Sequence, residues 1–214
     1  MTTEARNCGA RLEAVVLAAG AARRFGGGKL TAPYAGGVLL DGALAAAFAA
    51  PVRSVTLVTG TDAAAVEAAA RVWAERSGQA ARLRIVHASD HAEGMAASLR
   101  AGVASLPEDA AGAFVFLGDM PRVPLAVLEL LAARLGAGDL CAAPVFQGRR
   151  GHPALFACAL FPDLLALTGD QGARAVLQRV GAALVEAPDE GVLFDVDEAG
   201  DLDAPPQGEL PRSG

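Results

Sequence analysis

The chain has 214 residues, 53% of them hydrophobic, and sets 18 Lys and Arg against 24 Asp and Glu for a formal net charge of −6. That length and apolar content suit one sizeable core and exclude a disordered protein. No run of eighteen or more apolar residues offers a membrane span, and the acid excess repels nucleic acid, so neither a membrane nor a nucleic acid is expected as a partner. Residues 1–11 contain Glu4, Arg6 and Asn7 and no apolar leader segment, which points to the cytoplasm. Cys8, Cys141 and Cys158 lack CxxC spacing and read as small apolar fillers.

Leu12 to Leu17 reads as a first strand. It runs into LAAGAARRFGGGK, residues 17–29, where glycines let backbone N–H groups approach an anion and Arg23, Arg24 and Lys29 supply neutralising charge. This is a candidate phosphate loop, with a flexible basic connection as the alternative. It fits neither common nucleotide template, since Lys29 is followed by Leu30 rather than Ser or Thr, and Thr31 stands where the last glycine of GxGxxG belongs.

Leu39 to Ala50 reads as a helix, Ser54 to Val58 as a strand, and Asp62 to Arg76 as an Ala-rich helix capped by Asp62. A strand over Arg82 to Val86 leads through Glu93–Ser98, whose small residues admit a flat base and whose Ser98 offers a hydroxyl, into a helix over Met95 to Leu106. The strand Gly112 to Leu117 ends in Gly118-Asp119-Met120-Pro121. There a carboxylate at a strand end is either a hard-oxygen ligand for Mg²⁺ or a turn cap before a helix over Pro124 to Leu135.

The near-continuous apolar runs VVLAAG, VTLVTG and AFVFLGD suit parallel strands covered by helices on both faces. The rhythm then loosens into a strand over Leu140 to Phe146, a polar turn Arg149–Pro153, and a short helix over Pro153 to Leu160. A helix over Gly169 to Val180 with Asp170 before it follows, then strands over Ala182 to Ala187 and Val192 to Val196. The polar, glycine-punctuated segments Arg149–Pro153 and Gly169–Arg174 either line the pocket of a second, anionic substrate or are a plain turn and a capped helix start. Asp195 and Asp197 share a face if that last segment is extended, one as a second metal ligand and the other capping the next turn. His87, His91 and His152 match no zinc spacing, and no nucleophile elbow is present. Residues 11–203 read as a single domain, with 1–10 and 204–214 as tails.

In chain order stand LAAGAARRFGGGK, GMAASL, GDMP, RGHP, GDQGAR and DVDEAGDL. From about Leu12 to Leu202 this set resembles the nucleotidyltransferases that build molybdenum cofactor dinucleotides, the molybdopterin cytidylyltransferases and their relatives. The resemblance implies a three-layer αβα fold with a Rossmann-like, mostly parallel sheet. It implies CMP transfer from CTP to a pterin phosphate with release of pyrophosphate, and a molybdoenzyme as recipient of the product.

Arg24 and Lys29 then match residues that hold the triphosphate, Leu17, Ala18, Ala19 and Gly20 those that line the nucleotide pocket, and Asp119 and Asp197 the Mg²⁺ ligands. Gly94 and Ser98 would flank the base, while Arg150, His152 and Arg174 would face the pterin. Ala19, in the LAAG form, resembles the cytidylyl branch. Departures from the family pattern are Ala22, Ala96 and Ala97 in place of serines, Met120 for Gln, and EAGDL for TPEDL. Two other readings remain: transfer to a different phosphorylated acceptor, and a non-catalytic module that holds and delivers the cofactor.

Overall fold

The computed structural model describes residues 11–20, 24–170 and 172–203. The first strand, β1 (Leu12–Ala18), is followed by a two-residue hairpin of β2 (Pro33–Tyr34) and β3 (Gly37–Val38), then α1 (Leu39–Ala49), β4 (Val55–Thr59), α2 (Ala63–Arg76) and β5 (Leu83–His87). Next come α3 (Met95–Ala104), β6 (Gly112–Leu117), α4 (Ala126–Gly136), β7 (Cys141–Phe146), β8 (Arg149–Arg150), β9 (Ala154–Ala157), α5 (Phe161–Leu165), α6 (Arg174–Val180) and β10 (Ala183–Glu186). One eight-stranded sheet runs β10-β7-β9-β6-β1-β4-β5, with β8 paired to β7. All its pairings are parallel except those of β9 with β6 and β7, and of β8 with β7.

Alternation along the strands explains the layers. Leu12, Ala14, Val16 and Ala18 join the core that holds Leu40, Leu44 and Phe48 of α1, Val66 of α2 and Leu128 of α4. Val15 points the other way, and across the sheet Val115 and Phe156 pack with Leu99 of α3, Leu164 of α5 and Val176 of α6. Both faces are therefore buried, which is why β1 reads as a continuous apolar run rather than an alternating one. This is the three-layer α/β arrangement, and among the described residues no helix is long and apolar enough to cross a membrane.

Three expected elements differ. Pro153 to Leu160 is not a helix: Ala154 to Ala157 form β9, inserted between β6 and β7, with Ala154, Leu155 and Phe156 at 0% exposure. A short apolar run has no period that separates a buried strand from a buried helix. Val192 to Val196 is not a strand, because a 3-10 turn over Glu190–Val192 takes its start. The helix expected from Gly169 begins only at Arg174, so Asp170 does not cap it, and Pro124 lies just outside α4.

Because β1, β4, β5 and β6 are mutually parallel, their carboxyl ends open on one edge of the sheet. The strand β7 joins them there, since it and β6 both run antiparallel to β9. Ligand sites of open α/β sheets form at such an edge.

Candidate active site

The strand β1 delivers buried Ala18 and Ala19 to exposed Gly20 at this edge. Ala22 and Arg23 lie outside the described residues. Beyond them Gly26, Gly27 and Gly28 take φ of 89°, 96° and 65°, a left-handed run that suits glycine alone. The Gly28 N–H donates to Asp62 Oδ2 at 3.2 Å. Asp62 precedes α2 as expected but makes no capping bond to the helix, its carboxylate being turned to the glycine loop.

The loop's charge is directed at acids. Lys29 Nζ donates to Asp119 Oδ2 at 2.7 Å and to the Val196 carbonyl at 2.7 Å, and its side chain is only 11% exposed. Arg24 Nη1 donates to Asp197 Oδ2 at 3.1 Å in a far more open pair. The Val196 N–H donates to the Asp119 carbonyl at 3.1 Å, so the segment carrying Asp195 and Asp197 is pinned to the end of β6. Four residues expected to work together, from three distant stretches of sequence, thus meet at one point.

The Asp195 carboxyl is held above its usual range, first by burial and then by the carboxylates of Asp119 and Asp197. Neither Asp195 nor Asp197 caps the following turn; Asp201 does, accepting from the Asp197 and Glu198 N–H groups at 2.8 Å each, and these bonds lower its pKa. Among the described residues no three His, Cys, Asp or Glu side chains converge at ligating distance. The donor set of clustered carboxylate oxygens, mutually repelling at Asp195, nevertheless has the hard-oxygen chemistry that suits a divalent cation such as Mg²⁺.

Two cavities adjoin these charges. A small one of about 80 Å³ lies between Leu17, Ala18, Gly20, Lys29, Asp62 and Asp119. The larger, about 660 Å³, is walled by Ala19, Gly20, Gly94, Ser98, Leu117 and Asp119. Its size falls within the range of about 300–1,000 Å³ typical of ligand pockets. Gly94 stands at φ 120° where a Cβ would strike Gly169 and Asp170, so the loop after β5 and the loop before α6 close on each other here. The Ala96 N–H donates to the Gly169 carbonyl at 3.1 Å, tightening that wall.

Of the expected site residues, Leu17, Ala18, Ala19, Gly20, Lys29, Gly94, Ser98 and Asp119 therefore line the two cavities. Arg150, His152 and exposed Arg174 line neither, although His152 lies close enough to Asp119 to sense its charge. The His152 Nδ1 is buried with no hydrogen-bond partner among the described residues, and burial pushes the imidazole pKa down.

The sequence reading missed Thr61 and His91 and took Glu93 and Asp170 only as parts of longer segments; all four share the larger cavity. Their signal was positional: each follows a strand or precedes a helix at the carboxyl edge. His91 is weighed only as a metal ligand, and Asp170 only within the segment 169–174, as a pocket-lining candidate or a helix cap. Arg100 was missed too, and it bonds Asp90 at 2.7 Å, Glu93 at 3.2 Å and the Leu167 carbonyl at 2.9 Å, linking the two loops of that wall.

A parallel-sheet α/β protein with a glycine-rich basic loop, strand-end carboxylates and a roomy cavity between them belongs to the nucleotide-handling class. The chain matches the MobA-like NTP transferase domain over residues 14–185, and it belongs to that family of nucleotidyltransferases. Among curated relatives it is 31% identical to the purine catabolism protein PucB of Bacillus subtilis, over 88% of this chain and 93% of that one. It is 24% identical to the molybdenum cofactor cytidylyltransferase of Escherichia coli, covering 89% and 93%, and 31% identical to nicotine blue oxidoreductase of Paenarthrobacter nicotinovorans, covering 86% and 90%. Among solved structures, Rv0371c of Mycobacterium tuberculosis superposes with a TM-score of 0.76 at 28% identity, over 89% of this chain and 95% of that one. A manganese complex of Rv0371c superposes with a TM-score of 0.69 at 27% identity, over 83% and 88%.

Proposed function

We propose that this chain transfers CMP from CTP to the terminal phosphate of a pterin cofactor precursor, molybdopterin, releasing pyrophosphate. The observation that carries this reading is the meeting of Lys29, Asp119, Arg24 and Asp197 beside the cavity bounded by Ala19 and Ser98. An acceptor phosphate oxygen attacks the α-phosphorus of CTP, the bond to the β-phosphate breaks, and pyrophosphate departs. The acceptor is already an anion, so the protein's task is positioning and charge neutralisation rather than proton abstraction.

Asp119 and Asp197 are the residues that would hold Mg²⁺, which when bound supplies Lewis-acid charge to the phosphate oxygens. Lys29 and Arg24, poised on those same carboxylates, are within reach of a triphosphate seated beside them and would neutralise its charge. Ala19 and the small residues around Ser98 leave room for a flat base against the backbone. The LAAG form at residues 17–20 and the cytidylyltransferase relative support cytosine as that base.

A second reading keeps nucleotidyl transfer and changes the acceptor. It is favoured by PucB, whose name speaks of purine catabolism and whose identity to this chain exceeds that of the cytidylyltransferase. Pyrophosphate release measured with CTP, GTP and ATP, each with molybdopterin or with sugar phosphates, separates the two. Release only with CTP and molybdopterin is the expected result, and release with CTP and another phosphate alone overturns the choice of acceptor.

A further inference from the structure

A third cavity, of about 280 Å³, lies where the sheet edge turns into the β7–β8 hairpin, lined by Phe146, Gln147, Arg149, Glu190, Leu193 and Phe194. It shares none of its lining residues with the two cavities beside Asp119. Its volume suits one ring system rather than a whole dinucleotide.

Its chemistry is specific. Two aromatic rings and a leucine supply flat apolar surface, while a guanidinium, a carboxylate and an amide supply a donor, an acceptor and a group that is both. Arg149 and Glu190 make no ion pair or side-chain hydrogen bond among the described residues. The Phe194 ring is braced: the Arg122 guanidinium sits over it at 3.8 Å from the centroid, and Arg122 Nε donates to the Tyr34 hydroxyl at 2.7 Å. Such a braced aromatic is a ready stacking platform.

The position ties this cavity to the acid cluster. Phe194 is three residues from Asp197, and Arg122, which braces it, is three residues from Asp119. Each link spans at most about 11 Å of chain. Phe146 ends β7 at the same sheet edge where β6 leads to Asp119, with β9 alone between them, a separation of about 10 Å at ordinary strand spacing.

We infer that this hairpin cavity binds a planar nitrogen heterocycle, the ring end of the acceptor, stacked by Phe146 and Phe194 and read at its edge by Arg149 and Glu190. A ring that presents adjacent N–H groups to Glu190 and a carbonyl or ring nitrogen to Arg149 satisfies both charged groups at once. The inference rests on the proposed transferase reading in which the acceptor is heterocyclic. It moves acceptor recognition from Arg150 and Arg174 to a set of residues two strands away from the nucleotide.

The test is a fluorescence titration of the full chain with pterin-6-carboxylate, run beside 1-naphthoate, which is flat but has no donor–acceptor edge, and ribose 5-phosphate, which has no ring system. Saturable binding of the pterin alone is expected, weakened about 10-fold or more by Glu190→Gln and by Arg149→Gln, and by Phe194→Ala but less by Phe194→Leu. No pterin binding, naphthoate binding as tight as pterin, or pterin binding unmoved by both charge variants overturns the inference. Thermal unfolding of each variant separates lost recognition from lost fold. CTP binding is measured in the same samples: CTP binding retained while the pterin result fails removes this inference alone. Intact pterin recognition with no nucleotide binding at all removes the proposed transferase reading instead.

Discussion

Along β6, β1, β4 and β5 of the main sheet every neighbouring strand runs parallel and the crossings carry helices of ten residues or more, whereas from β7 to β10 a hairpin, an antiparallel insertion and two helices of five and seven residues do the same work. The regular half ends in the glycine loop, Asp62 and the large cavity. The irregular half supplies Val196 and Asp197 to the acid cluster and the Phe146–Phe194 cavity beyond it. The regular half makes most of the cradle, and the Gly169–Asp170 loop of the irregular half closes its far wall. On this account the nucleotide is held by the first and the acceptor by the second, with Asp119 at the seam.

The largest effect is expected at that seam. Asp119→Asn lowers kcat by about 100-fold or more for every nucleotide and acceptor pair, because the carboxylate serves both partners; a pyrophosphate-release assay checks it. Next comes a structural control at the opposite edge of the sheet. Glu13, 1% exposed, accepts from Arg53 Nε at 2.7 Å and from the Ser54 hydroxyl at 2.6 Å. Glu13→Ala leaves the buried Ser54 hydroxyl and N–H without their acceptor, while Arg53 keeps its pair with Asp109; the change costs about 1–3 kcal/mol in denaturant unfolding, and nucleotide affinity at the folded baseline stays as it was.

Lys29→Ala sharpens the comparison between the halves. It raises KM for the nucleotide about 10-fold or more and leaves KM for the acceptor unchanged, a split read from initial rates with each substrate varied in turn. An equal rise in both would dissolve the division of labour between the two halves.

Legibility divides along the same line. The strands at 12–18, 55–59 and 112–117 are plain in sequence because a parallel strand buried on both faces reads as a near-continuous apolar run. The glycine loop was plain because few residues tolerate its backbone. In the irregular half, the sequence of β9 reads as a helix, since its burial between two strands is decided by distant neighbours rather than by its own period. The pairing of Lys29 with Asp119, 90 residues apart, was foreseen only as a shared role through family resemblance. No spacing encodes that contact, nor the turn of Asp62 away from its helix to the Gly28 N–H. Glu93 and Asp170 stand in segments that the sequence marks, yet neither carboxylate has a role there, because a single acid in a loop has no pattern of its own.

The smallest expected effect belongs to His152, behind the acid cluster. Burial lowers its pKa in the folded protein, opposed by a hydrogen bond to the Val115 backbone and by the charge of Asp119. The unfolded chain therefore takes up the proton first, near the ordinary value of about 6.5. Stability is full above that pH and falls as pH drops from there towards the lower folded-state pKa. His152→Gln flattens this part of the profile, as followed by Tm against pH, and leaves nucleotide affinity at neutral pH unchanged.

In the proposed reading one cytosine nucleotide and a divalent cation share the ground between Ala19, Lys29 and Asp119. Calorimetric titration of the full chain with CTP, GTP and ATP, with and without Mg²⁺, tests it most directly. CTP is expected to be the tightest ligand, with an affinity that rises when Mg²⁺ is added and a metal response that Asp119→Asn removes. Equal affinity for the three nucleotides, or CTP binding indifferent to Mg²⁺ and to Asp119, contradicts it.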